Sequence, residues 1–155
     1  MKAHRTITNV KRLKPEAAGF LQTMLEQLAP LAKQQKLRPI LLQLPPNFKR
    51  NDARLAEFSQ NLPQAYRRAI EFRHDSWSHV TVEDLLRRFH VGWATVDLDD
   101  HAAECRDTAA FVYARLRRRQ YSINDLTRWD VDLVHGRKAG QDRYVCCKYT
   151  DEGSP

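Results

Sequence analysis

Seven polar residues fall late in, or just after, stretches of the chain that are otherwise apolar: Gln43, Glu71, Arg73, His74, Asp97, Arg115 and Lys148. Brought to one place, carboxylates, an imidazole and three cations would suit an anionic substrate. Arg73, Arg115 and Lys148 would neutralise its charge, Gln43 would join them in binding it, and Glu71 or Asp97 would serve as base. His74 reads either as an acid–base group or as a hydrogen-bonding support. Glu71 and Arg73, two positions apart on one face of an extended segment, read equally as a structural pair tying the end of a sheet. Trp77, beside the same cluster, is the tryptophan placed to touch a ligand, whereas Trp93 and Trp129 fall on core positions.

Glu71, His74 and Asp97 are ligand types that suit a divalent metal. No His-x-x-x-His or Cys-x-x-Cys spacing accompanies them, so no metal is assigned. The sequence also lacks a glycine-rich phosphate loop and a Gly-x-Ser-x-Gly elbow, and it names no cofactor.

The elements that must position these residues alternate along the chain. Arg5–Thr8 is short and β-prone. Pro15–Gln35 carries Phe20, Leu21, Met24, Leu25, Leu28 and Leu31 at helical spacing, with Pro15 in the first turn. Leu37–Leu44 is a nearly continuous apolar run stopped by Pro45-Pro46, the pattern of a strand buried on both faces. Asn51 or Asp52 caps a helix carrying Leu55 and Phe58, and Tyr66–Arg73 reads as the next strand. Val82–Phe89 then reads as a helix, Val91–Leu98 and Phe111–Leu116 as strands, Ser122 as the cap of a helix with Leu126, Trp129 and Leu133, and Arg143–Tyr149 as a last strand. Repeated strand–helix–strand units predict an α/β fold, a parallel sheet with helices outside it, and a functional end at the carboxyl ends of the strands. No repeat or composition break divides residues 1–155 into two domains.

The formal charge of +7 fits an anionic partner, either a small molecule or a nucleic acid, and fits equally a merely solvated basic surface, because the arginines are spread along the chain. Arg117-Arg118-Arg119 could grip phosphates or form a solvated loop. No apolar stretch approaches the roughly 20 residues of a membrane span, and no secretory signal pattern opens the chain, so a cytoplasmic protein without a membrane partner is expected. Cys105, Cys146 and Cys147 fit neither a disulfide framework nor a metal spacing and read as reduced thiols.

Glu71-Phe72-Arg73-His74-Asp75-Ser76-Trp77 resembles the Glu-Phe-Arg-His-Pro-Ser-Trp signature of the YecE-like family, domain of unknown function 72. Leu42-Gln43-Leu44-Pro45-Pro46-Asn47-Phe48 is similar to its Gln-Leu-Pro-Pro segment, and Arg5-Thr6-Ile7-Thr8 to a segment near its third strand. Tyr113-Ala114-Arg115-Leu116 and Lys148-Tyr149-Thr150-Asp151-Glu152-Gly153 match its last two strands more loosely. Asp75 replaces the usual proline, Ala114 a valine, and Arg117-Arg118 a common His-Gly. The resemblance implies a TIM-type (β/α) barrel of roughly 250 residues with no established reaction. It further implies a partial barrel here, the first strands and the closing helix having no counterpart in the chain. Three readings follow: an enzyme-type mouth acting on an anionic or phosphate-bearing substrate, a non-catalytic nucleic-acid-binding module, or an inactive remnant. Open sheet edges in a partial barrel predict self-association.

Overall fold

The computed structural model describes residues 1–34, 36–99, 103, 105–135 and 141–147. Five strands, β1 (Ile40–Gln43), β2 (Arg68–Glu71), β3 (Gly92–Asp97), β4 (Phe111–Leu116) and β5 (Asp142–Cys147), alternate with α1 (Glu16–Lys33), α2 (Asp52–Gln60), α3 (Val80–Arg88) and α4 (Ile123–Asp130). The strands lie in chain order in one sheet, and every neighbouring pair is parallel. This is the partial (β/α) barrel that the alternation predicts.

Side-chain alternation sorts each strand into two faces. Ile40, Leu42 and Ile70 pack outward against Leu21, Leu25, Leu55, Phe58 and Leu86 of the helices, while Val112, Ala114 and Leu116 pack outward against Trp129 and Leu133. The inward positions Leu41, Ala69, Ala94, Phe111 and Tyr113 form a separate interior cluster, with Tyr144 against it. Curvature of the sheet brings β5 back toward the opposite edge. Asp142 makes an ion pair of 2.5 Å with Arg67, just before β2, and the Arg38 guanidinium, just before β1, lies 6.0 Å from the Tyr144 ring centre. Gly92 permits this closure, since a Cβ there would stand 2.9 Å from the Phe111 ring.

Helix starts follow local chemistry. Asn51 caps α2, its side chain accepting from Arg54 N at 2.9 Å. At α4 the Ser122 hydroxyl accepts from Asp125 N at 3.1 Å, and the Asp125 carboxylate accepts from Ser122 N at 3.0 Å, a reciprocal capping box. The Ser122 bonds hold the Asp125 carboxyl below its ordinary value. A depressed folded-state value means that the box contributes above the ordinary carboxylate range and is lost as pH falls through the lowered one. Ser122→Ala is therefore expected to cost about 1 kcal/mol at neutral pH. The gap from wild type, read by urea denaturation, should narrow in acid; a gap that is constant with pH would contradict this.

One expected strand is absent. The segment predicted at Arg5–Thr8 is helical, with a π-type turn over Thr6–Val10. His4 Nδ1 accepts from Thr6 N at 3.3 Å and starts this turn, and Ile7 and Thr8 are buried. The strand position beside β1 belongs to the residues just before it: Lys2 bridges Leu41 in parallel, and Ala3 N donates to Leu41 O at 2.8 Å. At the other edge, β5 has no partner strand beyond β4 among the described residues, and Val145, Cys146 and Cys147 are exposed. Any self-association through an open edge would act there. Among the described residues, no helix is long and apolar enough to cross a membrane.

Candidate functional site

At the carboxyl end of the sheet, four polar side chains from four neighbouring segments form one chain of contacts. Lys2 Nζ donates to Gln43 Oε1 at 2.5 Å, Gln43 Nε2 donates to Glu71 Oε1 at 2.5 Å, and Arg115 Nη1 pairs with Glu71 Oε2. Register explains the meeting. Gln43 and Glu71 are direct partners across β1 and β2, and Arg115 stands two residues beyond Tyr113, on the same inward face of β4. Glu71 is 2% exposed, and inside the barrel its carboxyl oxygens are engaged by the Arg115 guanidinium and the Gln43 amide. Below it, burial raises the Tyr113 phenol above its ordinary value, with its contact to Cys146 adding to the effect. The phenol therefore stays neutral.

Beside this network the sheet opens. Pairing between β2 and β3 covers Ala69–Gly92 and Ile70–Trp93, and a cleft of about 640 Å³ lies beyond it, lined by Glu71, Arg73, His74, Trp93, Arg106 and Arg117 among others. Arg106 is committed to structure: it bonds Glu83 at 2.8 Å and Ser78 Oγ at 2.5 Å, and lies 4.2 Å from the Trp93 ring centre. Arg73 and Arg117 differ from it, because among the described residues neither guanidinium has a hydrogen-bond or ionic partner. His74 Nδ1 accepts from Ser76 N at 3.1 Å. With Nδ1 used as acceptor, the neutral ring carries its proton on Nε2 and presents a donor to the cleft.

The structure thus brings together Gln43, Glu71 and Arg115 in one network, and Glu71, Arg73 and His74 in one cleft. It separates two others, Asp97 and Trp77, from them. Asp97 was expected at the mouth, but the alternation of β3 turns it outward toward α4. There it is fully buried and held by Arg118 Nη2 at 3.0 Å, Trp129 Nε1 at 3.0 Å and Ala103 N at 3.3 Å. The hydrogen bond to Asp97 raises the Arg118 value in return. Since Arg117 N donates to the Asp97 carbonyl at 3.0 Å, Asp97 positions the loop from which Arg117 reaches the cleft. Trp77, expected to touch a ligand, is 0% exposed. Its Nε1 donates to Phe48 O at 2.6 Å, and its ring stacks on Phe72 at 4.8 Å, so it is a core residue. Lys148 lies outside the described residues.

Arg73 corrects a further expectation. It leaves the strand after Glu71 and is exposed, so the guanidinium that pairs with Glu71 is that of Arg115. Lys2 and Arg106 were not singled out from the sequence; Lys2 has no local motif, and Arg106 reaches the cleft from a loop. Among the described residues, no three His, Cys, Asp or Glu side chains converge to hold a metal.

A parallel, partly closed β/α barrel with a cation-lined cleft at the strand carboxyl ends defines the class of this protein. Residues 1–154 match the family model described as "Protein of unknown function DUF72", and the chain belongs to that family. Among solved structures it is similar to a DUF72 family protein from Thermotoga maritima, with TM-score 0.75 and 22% identity over 95% of this chain and 65% of that one. It is similar also to a DUF72 family protein from Enterococcus faecalis, with TM-score 0.70 and 15% identity over 98% of this chain and 71% of that one. The chain therefore spans 65% of the length of the Thermotoga maritima protein. No curated protein matches it. These likenesses carry the fold and leave the reaction open.

Proposed function

We propose that the cleft binds a small anionic, phosphate-bearing molecule. The observation that carries this is the pair of guanidiniums, Arg73 and Arg117, lining one recess without an acidic partner among the described residues. Guanidinium groups match phosphate oxygens in geometry as well as charge, and His74 Nε2–H supplies a third donor. Glu71 lies in the same lining with lone pairs left over from Gln43 and Arg115, so it accepts from a hydroxyl or amine on the ligand. Where the bound molecule reacts, Glu71 is the group placed to take a proton. Three free thiols, Cys105, Cys146 and Cys147, fit a cytoplasmic setting.

Calorimetric titration with inorganic phosphate and glycerol phosphate tests the reading. Each of Arg73→Gln and Arg117→Gln is expected to weaken binding about tenfold, the loss of one charge-assisted contact. Wild-type affinity in the double variant, or no phosphate binding by wild type, would refute it.

A further inference from the structure

Four planar groups stand in a row from the core to the cleft. Trp77, fully buried and tied through Nε1 to Phe48 O at 2.6 Å, stacks on Phe72 with ring centres 4.8 Å apart. Phe72 meets the Trp93 ring at 4.6 Å, and the Arg106 guanidinium lies 4.2 Å from the Trp93 ring centre. Phe72, Trp93 and Arg106 all line the recess that Arg73 and Arg117 also line. The outermost member is held at its edge as well as on one face: Arg106 Nη1 donates to Glu83 Oε1 at 2.8 Å and Nη2 to Ser78 Oγ at 2.5 Å. Its side chain nevertheless remains 28% exposed, and the face turned from Trp93 is what it offers the cleft.

The ion pair with Glu83 and the contact with Trp93 account for where Arg106 stands, but not for the recess it borders. At about 640 Å³ the cleft falls within the roughly 300–1,000 Å³ of small-molecule sites, and one phosphate held by Arg73 and Arg117 fills only a small part of it. The rest of the lining is of two other kinds. One is a pair of carboxylates, Glu71 and Asp75, the second without an ionic partner among the described residues. The other is the plane of Arg106 backed by Trp93. Carboxylates repel a bare phosphate and accept from sugar hydroxyls, while a guanidinium plane stacks on a flat heteroaromatic ring. Cations, carboxylates and a plane therefore answer to three parts of one molecule.

From this lining we infer that the cleft takes a nucleoside monophosphate, its base lying on Arg106, its ribose hydroxyls toward Glu71 and Asp75, and its phosphate at Arg73 and Arg117. The inference rests on the cleft being a phosphate site and names the rest of the molecule bound there. Because the stack behind Arg106 is anchored in the core at Trp77, the plane is set before the ligand arrives, and little ordering cost offsets the contact.

Calorimetric titration of the full chain with adenosine monophosphate, ribose phosphate and adenosine tests it. Wild type is expected to bind adenosine monophosphate about tenfold more tightly than ribose phosphate, the contribution of one stacked base. Arg106→Lys keeps a cation beside Glu83 but has no plane, so it should bring the two phosphates within about twofold of each other and leave ribose phosphate affinity unchanged. Trp93→Leu, which removes the ring under the guanidinium, should act in the same direction, and thermal melting shows whether each variant is folded. Arg73→Gln should instead weaken both phosphates about tenfold and leave adenosine unaffected. Equal affinity of wild type for adenosine monophosphate and ribose phosphate would overturn the proposal while leaving the phosphate site intact. So would a preference for the base that survives in a folded Arg106→Lys variant, or an equal loss of both phosphates in it. Adenosine binding as tightly as adenosine monophosphate would instead refute the cleft as a phosphate site, and with it the monophosphate as ligand.

Discussion

Replacing Arg68 with methionine is expected to cost about 3 kcal/mol of folding free energy, read as a large fall in urea midpoint at unchanged m-value. Arg68 opens β2 and is 2% exposed, and no acid pairs with it among the described residues. Instead its guanidinium donates to the carbonyls of Leu62 at 3.3 Å, Pro63 at 2.5 Å, Phe89 at 3.3 Å and His90 at 3.5 Å. The side chain thereby ties the loop before β2 to the exit of α3, where His90 holds a left-handed φ of 54°. Burial lowers the Arg68 value from its ordinary one, a measure of what desolvation costs and what the carbonyls must offset. Methionine fills much of the volume but leaves those oxygens without a donor. Charge-assisted hydrogen bonds contribute about 1.5–3 kcal/mol each, so losing the set outweighs any gain from burying an apolar chain. Arg68→Lys should fall between wild type and methionine, since a single ammonium spans fewer of the acceptors. A methionine variant within about 0.5 kcal/mol of wild type, the range of ordinary surface changes, would show that water replaces these bonds freely.

Arg68 also marks where sequence reasoning stops. Strands β1, β3 and β4 were legible because their apolar runs are bounded by prolines or loop residues, and the helices because their apolar residues recur at three and four positions. Arg67-Arg68 looks like a solvated strand start, and nothing local shows that one guanidinium points out while the other is enclosed by carbonyls 21 and 22 residues away. The same limit explains Arg5–Thr8: Thr-Ile-Thr favours extended backbone, but the bond from Thr6 N to His4 and the burial of Ile7 fix a helical turn. For Asp97 and Trp77, position late in a strand or beside a motif was legible, and direction was not. One residue of alternation sends Asp97 to the helix layer, and the turn at Asp75–Trp77 folds the indole under Phe72. Glu71, Gln43 and Arg115 were found because each is a polar residue late in an otherwise apolar strand; register pairs Gln43 with Glu71 directly, whereas Arg115 reaches Glu71 across β3.

Glu71→Gln is expected to cost about 2–3 kcal/mol, although the shape of the side chain hardly changes. The reason lies in the direction of the hydrogen bonds around it. Lys2 Nζ can only donate, so its contact fixes Gln43 with the oxygen toward Lys2 and the amide hydrogens toward Glu71. Arg115 also can only donate. Position 71 must therefore accept on both sides, which a carboxylate does and a glutamine does not: its own NH2 would face either Gln43 or Arg115, donor against donor. Arg115→Met should cost more, about 3–5 kcal/mol, because it strands a carboxylate that is 2% exposed, whereas the Glu71 variant leaves an arginine that can reach the cleft. The chain of directions makes a sharper test in Lys2. In Lys2→Met nothing holds the Gln43 amide in its present sense, and it can turn over to offer its oxygen to glutamine at position 71. The double variant K2M/E71Q should accordingly be more stable than the sum of the single changes by about 0.5–1 kcal/mol, a coupling measurable in a double-mutant cycle by urea denaturation. Strict additivity would mean that Lys2 does not set the polarity of Gln43, and that position 71 is constrained by Arg115 alone.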